Sequence, residues 1–367
     1  MSGPGGETTG RVLHFTSCWL PASEGFVYDL VRNVHRPGVV VAVEPLENAD
    51  RFPLADVHSL AWTNRLRFAP AVRRARTAAL TGLTARRDVA VAHAHHGYGL
   101  GELLDAVRRR RLPLVLSLHG HDVTGYLEQY PDYYRDAIEL VTRVVVPSQF
   151  LVDHAAAAGF DAERVRIIPS GIDTSLFAPT PPPDGPPVVL FVGRFVAKKG
   201  LDVLAAAWPQ VASAVPEARL RVMGFGELED LARSIRGHVE VVVSPTRVAV
   251  RDAMRQSRVV VSPSRTASDD AVETLLVVNV EAQASGRPVV TTRHGGIPEY
   301  VRDGETALVV PENDADALAD ALITVLTDDA LAGRLGAAGP CWAAQFDVAL
   351  TAGRMDACYD DAIEHAA

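Results

Sequence analysis

The stretch "VVLFVGRFVAKKGLDVL", residues 188–204, joins a run of apolar, β-branched residues to a helical pattern through a short basic segment. This pattern predicts a buried strand, a turn and then a helix. The turn holds the only two lysines of the chain, Lys198 and Lys199, among 36 basic residues. A helix N-terminus exposes free N–H groups and partial positive charge, so turns of this kind bind anions.

The same alternation of apolar strands and helical segments runs through both halves of the chain. The predicted strands are "RVLHFT", "GVVVAV", "VAVAHA", "PLVLSL", "RVVVP" and "RVRIIP" in the first half, and "VVLFVGR", "RLRVMG", "VEVVV", "RVVVSPS", "RPVVTT" and "TALVVP" in the second. Continuous apolar strands separated by helices indicate parallel sheets covered on both faces. We therefore predict an α/β protein with two doubly wound, Rossmann-like domains that face a central cleft.

The domain boundary is predicted at a proline-rich segment. Residues 178–187 read "APTPPPDGPP", which is compatible with neither a helix nor a central strand. It is interpreted as a linker between an N-terminal domain (1–177) and a C-terminal domain (188–343).

The charge distribution argues against nucleic acid as a partner. The net charge is −9, and residues 1–177 contain 19 basic and 19 acidic residues, so the excess negative charge lies entirely in the second half. Aromatic residues make up only 6% of the chain. A nucleic-acid-binding protein is expected to be basic and to carry aromatic stacking residues.

The expected location is the cytoplasm. The N-terminus is polar, no apolar run reaches the roughly 20 residues that span a bilayer, and the three cysteines are sparse and far apart. Residues 62–87, "WTNRLRFAPAVRRARTAALTGLTARR", leave two interpretations open. They form either an exposed arginine-lined helix or a basic amphipathic helix that contacts the inner face of an anionic membrane.

Two pairs of charged residues carry the predicted chemistry of the second half. Arg194 and Lys199 form a candidate clamp for a diphosphate, although the segment is not a P-loop. Glu273 and Glu281 lie eight residues apart, and a carboxylate at a helix entry can accept hydrogen bonds from vicinal hydroxyls such as those of a ribose. The alternative is one capping and one surface glutamate. No metal site is predicted.

These residues, together with residues 144–179 and "ASGRPVVTTRHGGIPEYVRDGETALVVPENDADALADAL" at 284–322, resemble the retaining GT-B glycosyltransferases of the glycosyl-transferases group 1, family 4 type. The resemblance implies that Arg194 and Lys199 bind the donor diphosphate. It also implies that Glu281 binds the ribose and that Glu273 is a catalytic residue in contact with the transferred sugar. A C-terminal helix, residues 344–367, is expected to cross back to the N-terminal domain.

The N-terminal half supplies the "LHGHD" turn, residues 118–122. A structural histidine is the simpler interpretation of His119, but the resemblance implies an active-site histidine near the donor sugar. Asp122 is expected to cap the next helix. The acceptor-side candidates are Ser23, Glu24, Gly25 and His96, with Ser23 as a helix cap and Glu24 in the first turn.

The histidines of "AHAHHGYG", residues 92–99, invite a metal interpretation. His93, His95 and His96 have no partner at metal-ligand spacing in the sequence. They are therefore interpreted as strand-end and acceptor-side residues.

The predicted function is retaining, metal-independent transfer of a sugar from a nucleoside-diphosphate sugar to an acceptor hydroxyl, in carbohydrate or natural-product biosynthesis and with no cofactor. The donor loop, Thr274, Leu275 and Leu276, departs from the family, which usually has glycine after the first glutamate and proline soon after. A catalytically weak or inactive nucleotide-sugar-binding partner subunit, and an epimerase or phosphorylase on the same fold, stay open as alternatives. The nucleotide, the sugar, the acceptor (glycan, lipid-linked or small molecule) and the oligomeric state are not predicted.

Overall fold

Each half of the chain forms one sheet of parallel strands in the computed structural model, which describes residues 10–21, 24–66, 69–267 and 276–366. Contacts divide the chain into two units. Unit 1 consists of Met1–Gly171 and Val348–Ala367, and unit 2 of Ile172–Asp347.

The sheet of unit 1 has the strand order β3-β2-β1-β4-β5-β6-β7, with all neighbours parallel. The chain proceeds from β1 outward to β3 and then returns to the other side of β1. The order therefore reverses between β1 and β4, which we call the unit 1 switch point. The strands are β1 Arg11–Thr16, β2 Gly38–Ala42, β3 Val57–Ser59, β4 Val89–Ala94, β5 Leu114–Ser117, β6 Val141–Val146 and β7 Val165–Ile167.

The sheet of unit 2 repeats this plan with the order β10-β9-β8-β11-β12-β13, again with parallel neighbours. Its switch point lies between β8 and β11. The strands are β8 Val188–Arg194, β9 Arg219–Phe225, β10 Val239–Val243, β11 Val259–Ser262, β12 Val289–Thr292 and β13 Ala307–Val310.

Helices cover both faces of each sheet. In unit 1 they are α1 Gly25–Asn33, α2 Ala69–Arg86, α3 Leu100–Arg110, α4 Gly125–Gln129, α5 Arg135–Ile138, α6 Phe150–Ala157 and α13 Val348–Ala366. In unit 2 they are α7 Leu201–Ala214, α8 Glu229–Ser234, α9 Arg247–Arg255, α10 Val277–Ala284, α11 Ala315–Thr327 and α12 Asp329–Ala343. In the described part of the chain, none of these helices has both the length and the apolar character needed to cross a bilayer.

Successive residues of one strand serve the two layers of helices. Leu13 of β1 packs in the cluster that contains Leu80 of α2, whereas Val12 packs with Met355 and Tyr359 of α13. Because strand side chains alternate between faces, a strand buried on both sides must be apolar throughout. The apolar runs predicted twelve strands correctly, including the edge strands β7 and β10, which are only partly buried. The thirteenth, β3, is only three half-buried residues long and has no such run.

The structure places the boundary of unit 1 slightly before the one predicted at residue 177. Ile172 and Phe177 are fully buried in the same cluster as Leu190 of β8, so this segment belongs to unit 2. Part of the proline-rich segment is also held there, because the buried Arg287 donates hydrogen bonds to the hydroxyl of Thr180 and the carbonyl of Pro181. The chain returns to unit 1 at residue 348 rather than 344.

An ion-pair network attaches α13 to the sheet of unit 1. The Asp361 carboxylate accepts hydrogen bonds from Arg143 of β6 at 2.7 Å and from Arg166 of β7 at 2.9 Å. The Arg143 side chain is only 5% exposed. The hydrogen bond from Arg143, together with the charges of both arginines, holds the pKa of Asp361 well below its ordinary range.

Asp361→Asn is therefore expected to lower the free energy of unfolding by about 2–3 kcal/mol, because it leaves the Arg143 guanidinium buried without its anion. Urea denaturation measures this change. Asp132→Asn is the matched control, since the Asp132–Arg135 pair is more than 70% exposed on both sides and should cost about 0–1 kcal/mol. Equal losses in the two variants would contradict the assigned role of Asp361.

Candidate active site

The loops at the two switch points carry most of the predicted site residues. Ligands of open α/β sheets bind at the carboxyl ends of strands where the strand order reverses. In unit 1 these are the loops after β1 and β4, and in unit 2 the loops after β8 and β11.

At the unit 1 switch point, Glu24 after β1 meets His96 after β4. Glu24 occupies the N-cap position of α1 rather than its first turn, so that prediction was wrong. Its carboxylate lies 3.1 Å from Nε2 of His96, which explains why it does not face the helix. Burial by itself would lower the pKa of His96, but the hydrogen bond and the charge of Glu24 outweigh it and raise that pKa.

The "LHGHD" turn follows β5 and is fixed by a buried carboxylate. The prediction that Asp122 caps the next helix, α4, was wrong. Its carboxylate turns back and accepts hydrogen bonds from the backbone N–H groups of His119 and Gly120, both at 2.9 Å. Gly120 has φ +126°, a conformation that favours glycine. The carboxylate thus satisfies N–H groups of its own turn, and α4 has no side-chain cap.

His119 projects from this turn toward the loop after β4. Its ring lies 5.0 Å from that of His96 and 5.1 Å from that of Phe26, between ring centroids. The residue keeps a partly exposed edge, but both ring nitrogens are shielded from solvent. Burial, and secondarily the charge of His96, lower the pKa of His119 to about 3, so its imidazole is neutral near pH 7.

A pocket opens beside His119. Its polar lining consists of His95, Ser117, His119 and Ser170, and its apolar lining includes Phe26 and Leu30 of α1 and Met355 of α13. The sequence analysis did not single out Ser117. A polar residue at the carboxyl end of a buried strand is the signal that identifies it.

An aromatic surface continues from His96 along the loops after β4 and β5. Tyr98 stacks near His96, and the ring of Tyr126 lies 4.9 Å from those of Tyr98, Tyr130 and Tyr133. These tyrosines are half-buried or exposed. They present ring faces and hydroxyl groups, which suit contact with a ring that carries hydroxyl groups, such as that of a sugar. The sequence analysis did not identify this cluster.

At the unit 2 switch point, Gly200 brings the loop after β8 against the loop after β11. Gly200 has φ +68°, and a Cβ atom there would lie 1.8 Å from the carbonyl oxygen of Pro263. No side chain fits in this space. The basic turn Ala197–Lys199 is therefore held beside the strand that precedes α10.

Within this turn, Lys199 folds back across the end of β8. A Cβ on Gly193 would lie 3.7 Å from Cδ of Lys199, so the lysine stem covers the glycine that precedes Arg194. Arg194 ends β8 and is exposed. The structure thus brings Lys199 to the strand end that carries Arg194.

Glu281 lies on α10, the helix after β11, as its fifth residue and half-buried. It directly follows the first turn of the helix, close to the helix entry. Buried side chains on either side of Glu281 orient the helix. Asn279 accepts a hydrogen bond from Ser262 at 2.6 Å, and Gln283 donates one to the carbonyl of Tyr300 at 2.9 Å.

Four predicted site residues lie outside the described residues: Ser23, Glu273, Thr274 and Leu275. Leu276, the last residue of the predicted donor loop, is buried and occupies the N-cap position of α10. Gly25 is the first residue of α1, next to Glu24.

Comparison with known proteins places both halves in glycosyltransferase families. Residues 23–176 match the family described as Glycosyltransferase Family 4, and residues 186–328 match Glycosyl transferases group 1. A GDP-mannose-dependent alpha-(1-6)-phosphatidylinositol monomannoside mannosyltransferase of Mycolicibacterium smegmatis is 33% identical over 270 residues, which cover 66% of this chain and 68% of that protein. The phosphatidyl-myo-inositol mannosyltransferase of Mycobacterium tuberculosis is 30% identical over 309 residues, covering 81% and 79%. The chain belongs to the group 1 and family 4 glycosyltransferases.

Solved structures show that this glycosyltransferase has the GT-B fold. The Anabaena Alr3699/HepE protein, solved with UDP and glucose, superposes with a TM-score of 0.77 at 19% identity, covering 94% of this chain and 98% of that chain. Sucrose-phosphate synthase from Thermosynechococcus elongatus gives a TM-score of 0.73 at 20% identity, covering 95% and 98%. The prediction of two doubly wound α/β domains is confirmed.

The low pKa of His119 predicts a specific pH dependence of stability. The folded-state pKa lies below the ordinary value, so below about pH 6.5 the unfolded chain binds a proton that the folded imidazole does not, and stability falls as the pH falls. Between pH 7.5 and 5.0 this costs about 2 kcal/mol. In His119→Gln the fall in the free energy of unfolding should be smaller by that amount. Urea unfolding at both pH values measures it, and parallel pH profiles of the two proteins would contradict it.

Proposed function

We propose that this glycosyltransferase transfers a sugar from a nucleoside-diphosphate sugar to an acceptor hydroxyl with retention of configuration and without a catalytic metal. The observation that carries the proposal is the position of Lys199, folded across Gly193 toward the strand end of Arg194 at the unit 2 switch point. A guanidinium and an ammonium at that place suit a diphosphate, and helix α7 begins immediately after them.

The nucleotide half of the donor is assigned to unit 2. As the bond between the anomeric carbon and the phosphate oxygen breaks, negative charge grows on the diphosphate, and Arg194 and Lys199 stabilise it. Glu281 on α10 accepts hydrogen bonds from the ribose hydroxyls. The buried anchors of α10 hold the carboxylate in place, which lowers the entropy cost of binding.

The transferred sugar develops positive charge in an oxocarbenium-like transition state. His119 adds no cation there, because its imidazole is neutral near pH 7. Glu273 and the carbonyl groups of the "LHGHD" turn are assigned to stabilise this charge. The acceptor oxygen bonds to the anomeric carbon on the face that the phosphate leaves, and the acceptor proton passes to a phosphate oxygen.

The names of the relatives support GDP-mannose as donor and a phosphatidylinositol-type lipid as acceptor. The loop before α2 supports a lipid surface, since Trp62 and Leu66 are 53% and 39% exposed next to the arginine-rich helix. We assign this segment to contact with an anionic membrane at its cytoplasmic face. Glu24, Gly25, His96 and the tyrosine surface are assigned to the acceptor side.

The experiment incubates the purified chain with GDP-mannose, UDP-glucose, ADP-glucose or a dTDP-sugar, with and without phosphatidylinositol vesicles. We expect release of GDP and formation of an α-mannosyl lipid, at a rate unchanged by added magnesium. The one-bond carbon–proton coupling at the anomeric carbon, measured by NMR, identifies the α-linkage. A β-linked product would overturn retention. Nucleotide binding without sugar release from any donor would overturn transfer and favour the non-catalytic partner subunit.

Lys199→Ala and Arg194→Ala should each depress kcat/KM strongly, because their charges meet the leaving group most closely as it departs. Lys198→Ala is the matched control. Adjacent residues of a 3-10 turn point about 120° apart, so Lys198 does not share the direction of Lys199. Lys199→Arg should restore little activity, because a planar fork replaces a compact ammonium poorly. Loss of activity in Lys198→Ala alone would reverse the assignment.

Glu281→Ala should weaken binding of the nucleoside diphosphate by about 1.5–3 kcal/mol, since two ribose hydroxyls lose a charged acceptor. Isothermal titration with GDP and UDP measures this loss. Glu217→Ala, an exposed glutamate that precedes β9 and therefore lies at the opposite end of the sheet, should bind as the wild type does. Unchanged affinity in Glu281→Ala would remove Glu281 from the site.

A further inference from the structure

Three histidines share one face of the sheet in unit 1, below the candidate active site. His14 of β1 pairs in register with His93 of β4, and His95 lies two residues beyond His93. Side chains two residues apart on a strand point to the same face. All three rings therefore project together, and each residue is at most 1% exposed. We call them the histidine cluster.

Short polar contacts connect the histidine cluster. Nδ1 of His14 lies 3.0 Å from Nε2 of His95. His93 lies 2.7 Å from the hydroxyl of Tyr359 through Nδ1 and 2.7 Å from the hydroxyl of Ser117 through Nε2. The nitrogens lie close enough that one atom from each ring is within 4.8 Å of the others.

Nδ1 of His14 and Nε2 of His95 face each other, so these are the atoms that one ion between the two rings would bind. The opposite nitrogens, Nε2 of His14 and Nδ1 of His95, point away from that contact and have no hydrogen-bond partner among the described residues. A neutral imidazole offers one nitrogen lone pair, and this is the form that binds a metal ion.

We propose that His14, His93 and His95 bind one first-row transition-metal dication, for which Zn²⁺ is the probe. This site is separate from the donor clamp of unit 2 and stands whether or not the chain transfers a sugar. The sequence analysis found no partner for His93 and His95 because His14 lies 81 residues from His95. His96 is not part of the site, since it pairs with Glu24.

The geometry requires modest adjustment. Zn–N bonds of about 2.0–2.1 Å in a tetrahedral site place ligating nitrogens about 3.4 Å apart. The His14–His95 contact must open by a few tenths of an ångström, and His93 must move toward it by on the order of an ångström. In doing so His93 exchanges one hydroxyl partner for the metal and keeps the other, which then orients the ring as outer partners of metal-bound histidines do.

The pocket beside His119 reaches the cluster, because it is lined by His95 and by Ser117, the hydroxyl partner of His93. The pocket therefore offers an entry path for the ion and room for a water in the fourth coordination position. Zinc-bound water has a pKa of about 7, and a bound hydroxide would offset part of the charge that three neutral ligands leave. Imidazole ligands favour zinc and its neighbours over Mg²⁺ or Ca²⁺, which prefer oxygen.

The test uses the full chain without an affinity tag, stripped with a chelator, reloaded with zinc chloride and desalted. Elemental analysis should then find about one zinc ion per chain. Reloading with cobalt should give the visible absorption of a four-coordinate site with nitrogen ligands. A folded wild-type chain that retains neither metal would overturn the proposal, whatever the variants do.

The variants His14→Gln and His95→Gln should each weaken zinc binding by about tenfold or more. His238→Gln is the matched control, because His238 is exposed in unit 2, and it should retain the ion. Circular dichroism establishes that each variant is folded. Undiminished zinc affinity in folded His14→Gln and His95→Gln would overturn the site. If both variants unfold, the cobalt spectrum of the wild-type chain decides, and a spectrum of oxygen ligands alone would contradict the proposal.

Discussion

The close approach of Gly200 to the carbonyl oxygen of Pro263 is the constraint on which the candidate donor site depends. A side chain at position 200 would meet that oxygen, so only glycine lets the loop after β8 rest against the loop after β11. One loop carries Lys199, whose stem covers Gly193 at the end of β8, and the other leads to the helix of Glu281. The loops and helix that carry two cations and a carboxylate thus follow the two strands of one switch point. A backbone packing requirement at Gly200 thus fixes where the basic turn lies.

Unit 1 positions its groups by electrostatics instead. The buried carboxylate of Asp122 fixes the turn of His119, and the carboxylate of Glu24 holds His96. These contacts give two imidazoles 5.0 Å apart opposite tendencies, since Glu24 raises the pKa of His96 while burial lowers that of His119. Near neutral pH the first can carry a proton that the second does not.

The sequence predicted what depends on local pattern. Apolar runs located twelve strands, since strands buried on both faces must be apolar, and the spacing of Arg194, Lys199 and Gly200 located the basic turn. Contacts between distant residues could not be read in this way. Glu24 lies 72 residues from His96, and nothing local to either indicates the pair. The local rule for helix caps also misled the prediction for Asp122, because its own turn offers competing N–H groups. The histidine cluster was not predicted either, because His14 and the other two histidines lie on separate strands that are far apart in the sequence.

Hydrogen–deuterium exchange with and without nucleoside diphosphate tests the central claim most directly, because it locates the nucleotide without depending on the acceptor or on turnover. Saturating GDP or UDP should slow amide exchange in residues 193–201 and 276–284, where the turn after β8 and helix α10 would lose their opening motions. Loops of unit 2 at the opposite end of the sheet, such as residues 215–218, should exchange as before. Protection at that opposite end, with no change at 193–201 and 276–284, would contradict the account.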